Sequence, residues 1–137
     1  MAVDNNPVEK IGSRTAFLLP NTGGAGRTHE PHLHICVTAP DKDGKVLCVP
    51  VGSYEDGMDN TCLLNKGDHD YVNKPSMIYY GHAKIMQAST IVQKINGKKY
   101  EHWEDVKQEV FARITKGVLS SGHIKPVHRN YARLQWN

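Results

Sequence analysis

Asp68 and His69 stand side by side in the run Cys62–Tyr80, CLLNKGDHDYVNKPSMIYY, and are the residues of this chain best suited by type to moving protons. A loop that carries an imidazole beside a carboxylate between strands is a common seat of general acid–base chemistry. A histidine there can take a proton from a 2′-hydroxyl or give one to a leaving oxygen. Gly67 permits the turn that would present the pair. Neighbours in sequence usually point apart, however, so Asp68 has a second reading as the cap of an Asx-type turn, with His69 a bystander.

A second concentration of imidazoles lies upstream, where His29, His32 and His34 crowd into HEPHLHICV. If the strand begins early enough, His32 and His34 share one of its faces. Two such rings could begin a metal site, but zinc wants three or four ligands and no standard spacing is present. A histidine-triad nucleotide hydrolase needs alternating histidines, and here Glu30 and Cys36 interrupt the alternation. A two-histidine phosphoesterase needs Ser or Thr two residues after each histidine, and neither His32 nor His34 has one. The alternative is that all three are loop and surface side chains. Val49-Pro50-Val51-Gly52-Ser53 ends an apolar run and delivers a hydroxyl to a loop, as a strand end can for catalysis or as a plain turn. No phosphate-binding loop, nucleophile elbow or dinucleotide fingerprint occurs. Tyr71, Tyr79 and Tyr80 could stack on bases or fill a sheet surface.

The elements that must position these residues read mostly as strands. Thr15–Leu19 is a short strand stopped by Pro20. Residues 21–32, NTGGAGRTHEPH, form a Gly-rich loop. Leu33–Thr38 alternates Leu33, Ile35 and Val37 against His34, Cys36 and Thr38, the period of a strand. APDKDG supplies a hairpin connection. Lys45–Val51 is apolar on both faces and reads as a central strand with Pro50 near its end. Thr61–Leu64, Ser76–Tyr80, Ala83–Met86 and the β-branched run Ser89–Ile95 complete the set. The period then changes: Trp103, Val106, Val110 and Ile114 fall on one stripe of a helix over residues 101–117, with Gly117 as its C-cap. Residues 1–13 are a polar, flexible arm, and the basic tail IKPVHRNYARLQWN follows the helix. The expectation is one domain over 1–137, mainly β, a small barrel of about six strands with a C-terminal amphipathic helix.

Composition sets the outer bounds. The chain has 137 residues, 39% hydrophobic and 23% charged, an ordinary globular balance with a formal net charge of +3. That charge tolerates a polyanionic partner without demanding one. The odd number of cysteines, Cys36, Cys48 and Cys62, with no CxxC pair, predicts free buried thiols in a reducing compartment. The polar start MAVDNNPVEK predicts no signal peptide, and AFLLP is too short to cross a membrane, so a cytoplasmic location is expected.

The order of elements resembles the PemK/MazF-like group of toxins. The strand HLHICVT, a hairpin, a second strand ending in Pro-x-Gly-Ser, then CLLNKGDHDYVNKPSMIYYGHAKIM and a late amphipathic helix carry the likeness over Leu33–Lys116. It lies more in element order than in motif. Pro31-His32 stands where that group commonly has Arg-Pro, and Gly52-Ser53 where it has a pair of hydroxyls. The resemblance implies an SH3-like barrel, a homodimer, an antitoxin partner and metal-independent endoribonuclease activity with no cofactor. Under it, a 2′-hydroxyl attacks the adjacent phosphate of RNA. His69, beside Asp68, is the expected base or acid, with His34 or His32 as its counterpart. Ser53, Arg27 and Ser76 would contact substrate, arginine because its planar fork pairs phosphate oxygens. The rival readings are a non-catalytic nucleic-acid- or protein-binding barrel and a metal-dependent hydrolase built on His29, His32 and His34.

Overall fold

The computed structural model describes residues 3–20 and 31–137. In chain order it has β1 (Ala16–Leu19), β2 (His32–Cys36), β3 (Lys45–Ser53), β4 (Leu63–Leu64), β5 (Ser76–Ile78), a short 3-10 turn (Tyr80–His82), β6 (Lys84–Gln87), α1 (Ala88–Asn96), β7 (Glu101–Trp103), α2 (Gln108–Ser120) and α3 (Pro126–Trp136). The seven strands pair antiparallel in the order β4-β5-β3-β2-β1-β7, with β6 also on β3. The expected class, a small barrel-like β fold with a helix at its C-terminal end, is the one found.

The nine-residue β3 is the hub. One edge takes β2 in the register Cys36↔Cys48 and His34↔Pro50. The other edge takes β6 along Lys45–Cys48 and β5 along Val51–Ser53. Its alternation explains why it reads as apolar on both sides. Leu47, Val49 and Val51 join Leu33, Ile35 and Val37 in a larger core closed by Val110, Ile114 and Val118 of α2. Val46 and Cys48 join Phe17 and Cys36 in a smaller core closed by Ile91 and Ile95 of α1. A sheet covered on both faces has no polar row to show. All three cysteines are free and buried, with the Cys36 and Cys48 sulfurs 3.7 Å apart across β2 and β3.

Four expectations need correction. Ser89–Ile95 is helical, not extended, because Ile91 and Ile95, one turn apart, are what the sheet buries. The predicted helix over 101–117 is displaced. Glu101–Trp103 pairs with β1 as an edge strand, Val106 N–H bonds the Arg14 carbonyl, and the helix starts at Gln108. Gly117 is then no cap but an interior position of α2. A Cβ there would overlap the Tyr80 hydroxyl, which donates to the Ile114 carbonyl at 2.7 Å. The basic tail, to which the sequence assigns no element, forms helix α3, opened by Pro126 in its first turn, where the missing N–H costs nothing. Finally, the described part of the N-terminal arm is docked. Asp4 N–H bonds the His102 carbonyl, Val8 exchanges two bonds with the Asn96 amide, and Ile11 is buried.

Candidate functional site

The Gly-Asp-His loop is built tightly, and its polar groups are turned to construction. Gly67 has φ +103°, a conformation that suits glycine. Asp68 closes the turn: its carboxylate accepts the Asn65 N–H at 2.8 Å and pairs with Arg113 at 2.9 Å. Burial alone would raise the Asp68 carboxyl, but the Asn65 N–H and the Arg113 guanidinium outweigh it and hold it below its ordinary value. His69 is 4% exposed. Its Nδ1 accepts the Tyr71 N–H at 3.1 Å and its Nε2 donates to the Glu104 carbonyl at 2.9 Å. Both ring nitrogens are therefore engaged by backbone, and the tautomer is fixed with the proton on Nε2. The Asx-turn reading describes the Asp68 geometry.

Three other predicted residues do come together. A cleft of about 340 Å³ lies between the start of β2, the end of β3 and the loop before β5, and His32, Ser53, Lys74 and Ser76 line it. His32 is exposed, and its Nδ1 donates to the Val51 carbonyl at 3.2 Å. That bond orients the ring and, among the described residues, leaves the Nε2 of a neutral imidazole without a partner. Ser53 and Ser76 face one another across β3 and β5. Ser76 is nearly buried and donates to the Lys74 carbonyl at 2.9 Å, whereas Ser53 and Lys74 are exposed. Neither His69 nor Asp68 lines this cleft. Lys74 and Asn73 were missed as candidates, although the Lys-Pro-Ser run beside Ser76 placed a cation in the loop.

His34 lies two residues from His32 but in a different setting. It is 4% exposed, donates from Nδ1 to the His32 carbonyl at 3.0 Å and stacks on Phe17. Burial pushes its pKa down to about 4; the His32 carbonyl opposes the shift, and Lys84 and His32 add to it. Arg27 and His29 lie outside the described residues. Among the described residues no three His, Cys, Asp or Glu side chains are grouped to hold a metal ion. A larger cavity of about 480 Å³ opens under residues 3–7, beside Asn96 and His102. Its Asp4 accepts the Asn6 N–H and its Asn96 holds Val8, so these groups serve to dock the arm. The smaller cleft, with an oriented imidazole and exposed cationic and hydroxyl groups, is the better candidate.

No protein-family model matches this chain, and no curated protein matches it in sequence. Its fold is similar to a solved structure, a chain of the MazE–MazF crystal structure from Deinococcus radiodurans. The TM-score is 0.54 and the identity 14%, over 80% of this chain and 94% of that one. At that identity the likeness is one of fold. Among the described residues, no helix is long and apolar enough to cross a membrane.

Proposed function

We propose that this chain binds RNA in the His32 cleft and cleaves it without a metal, as the toxin of a toxin–antitoxin pair. The observation that carries the reading is the His32 ring, oriented by the Val51 carbonyl at the mouth of a cleft that also holds Ser53, Ser76 and Lys74. Its free Nε2 takes the proton of a 2′-hydroxyl. The resulting oxygen attacks the adjacent phosphorus and the bond to the 5′-oxygen breaks. The leaving oxygen takes a proton from water, giving a 2′,3′-cyclic phosphate and a 5′-hydroxyl. The Lys74 ammonium and the Ser53 hydroxyl hold the phosphate oxygens. The MazF-like fold supports an antitoxin partner and a homodimeric form under the same reading.

A second reading, RNA binding without cleavage, is favoured by one specific observation. His69 has both nitrogens on backbone groups and His34 is enclosed, so among the described residues His32 is the one imidazole lining the cleft. A single ring cannot act as base and acid in the same instant. Incubating purified protein with single-stranded RNA in EDTA separates the two readings. The expected products end in 2′,3′-cyclic phosphate and are lost in His32→Ala. Intact RNA with the wild-type protein would leave the binding reading standing and sink the cleavage one.

A further inference from the structure

Beside the cleft, two stacked rings stand on the sheet face, and the chemistry assigned to His32 leaves them unused. Val51 and Ile78 are paired across β3 and β5, and both belong to the larger core. Side chains alternate along an extended strand, so Gly52, the residue after Val51, faces the opposite side, and Tyr79 follows the end of β5. Gly52 lines the cleft, and a Cβ built on it would lie 3.8 Å from Tyr79 Cδ2. The Tyr79 ring thus lies alongside bare backbone at the cleft's rim. His82 stacks on that ring with centroids 3.9 Å apart and planes inclined by 22°.

The exposure pattern of this pair is informative. Tyr79 is half-buried and His82 is exposed. A pair that only filled the sheet surface would cover its outer ring; here the outer ring is the open one. Among the described residues, neither the Tyr79 hydroxyl nor the His82 imidazole has a hydrogen-bond partner. Burial first, and then the neighbouring His32, Lys125 and Lys84, lower the His82 pKa from its ordinary value. The Lys125 and Lys84 ammonium groups therefore stand near a planar ring that is held toward its uncharged form.

We propose that the outer face of the His82–Tyr79 stack receives a nucleobase next to the phosphate held in the cleft. Lys84 and Lys125 then meet neighbouring phosphates. The inference rests on the reading of the cleft as an RNA site and adds what that reading lacks, a place for the base. Every base has a π-face, so the platform is tolerant of sequence. It requires a base free of duplex stacking, so the ligand class is single-stranded RNA.

The test uses the full chain and a fluorescein-labelled single-stranded 2′-O-methyl RNA of mixed sequence, which lacks the attacking hydroxyl. Affinity is read by fluorescence anisotropy at fixed ionic strength. His82→Ala is expected to weaken the Kd about tenfold, the usual scale for losing one base–ring stack. His82→Phe, which has a ring and no charge, should restore binding. His82→Lys, which has a charge and no ring, should stay weak. Unchanged binding in His82→Ala overturns the proposal, and so does rescue by lysine with none by phenylalanine. Failures of the two readings are distinguishable. No binding by wild-type protein removes both. Loss of cleavage in His32→Ala with an unaltered Kd in His82→Ala removes the stack alone. The expected His82 series with normal cleavage by His32→Ala removes the assignment of His32 alone.

Discussion

His69 and His32 are the same side chain in two employments. His69 is enclosed, with a backbone N–H on one nitrogen and a backbone carbonyl on the other. His32 is exposed, with one nitrogen on a carbonyl and, among the described residues, no hydrogen-bond partner on the other. The first arrangement ties the loop after β4 to the segment after β7, 35 residues away. The second leaves a basic lone pair in a cleft. The difference teaches that a histidine's chemistry depends on its unspent nitrogen more than on its sequence neighbours. The Asp68 carboxylate beside His69 turns to Asn65 and Arg113.

The comparison breaks most visibly in activity. His32→Ala should cut RNA cleavage by roughly 10²- to 10⁴-fold, the usual contribution of a general base. Its melting temperature should stay close to that of the wild type, because an exposed ring with one hydrogen bond holds little structure. Cleavage timed on gels beside a thermal melt checks both halves. An active His32→Ala protein would remove the assignment.

His69→Ala should do the reverse. It removes the bonds that the ring makes to the Tyr71 N–H and the Glu104 carbonyl, both partly buried, and an enclosed ring that lies 6.2 Å from Trp103. Losing two partly buried backbone bonds and the packing of the ring costs roughly 1–3 kcal/mol of folding stability in sum. Urea unfolding measures it, and a loss below about 1 kcal/mol would mean that water or a shifted loop replaces both bonds.

How legible this division was depended on distance along the chain. The alternation of Leu33, Ile35 and Val37 showed β2 because the pattern and its cause are both local. His32, Ser53 and Ser76 were readable as candidates because they end or begin strands. The engagement of His69 was not readable, because the Glu104 carbonyl reaches it through the fold alone. Residues 101–105 misled for a related reason. Their acids and Trp103 imitate a first helical turn, but pairing with β1 decides the conformation. In Ala88–Asn96 the β-branched Thr90, Ile91 and Val92 suggested a strand, although Ile91 and Ile95, four residues apart, carried the helical signal.

His34 sharpens the comparison through pH. Its folded pKa is about 4, below the ordinary value of 6.5. Between those values the unfolded chain binds a proton that the folded chain does not, so stability falls as pH falls. The contribution is full above pH 6.5 and is lost on the way down to about pH 4. Between pH 7 and pH 5 the expected loss is about 2 kcal/mol. His82 and His128 shift in the same direction but are less enclosed, so His34 should dominate the slope. His34→Leu should flatten it, which urea titrations at the two pH values would show. An equal slope in the variant would assign the effect elsewhere.

The smallest expected effect is the most discriminating for the Gly-Asp-His loop. Asp68→Asn keeps an oxygen for the Asn65 N–H but discards the charge that meets Arg113, itself about half exposed. An exposed ion pair is worth about 0–1 kcal/mol, so stability should move by no more than that. Cleavage should not move at all, because neither Asp68 nor His69 lines the cleft that holds His32. Had Asp68 been orienting a catalytic His69, the same substitution would disturb the ring's tautomer and slow the reaction by orders of magnitude. Here the tautomer is set by Tyr71 N–H and the Glu104 carbonyl, which Asp68→Asn leaves in place. A large loss of cleavage with little loss of stability in this one variant would return the acid–base role to the Asp68–His69 pair and withdraw it from His32.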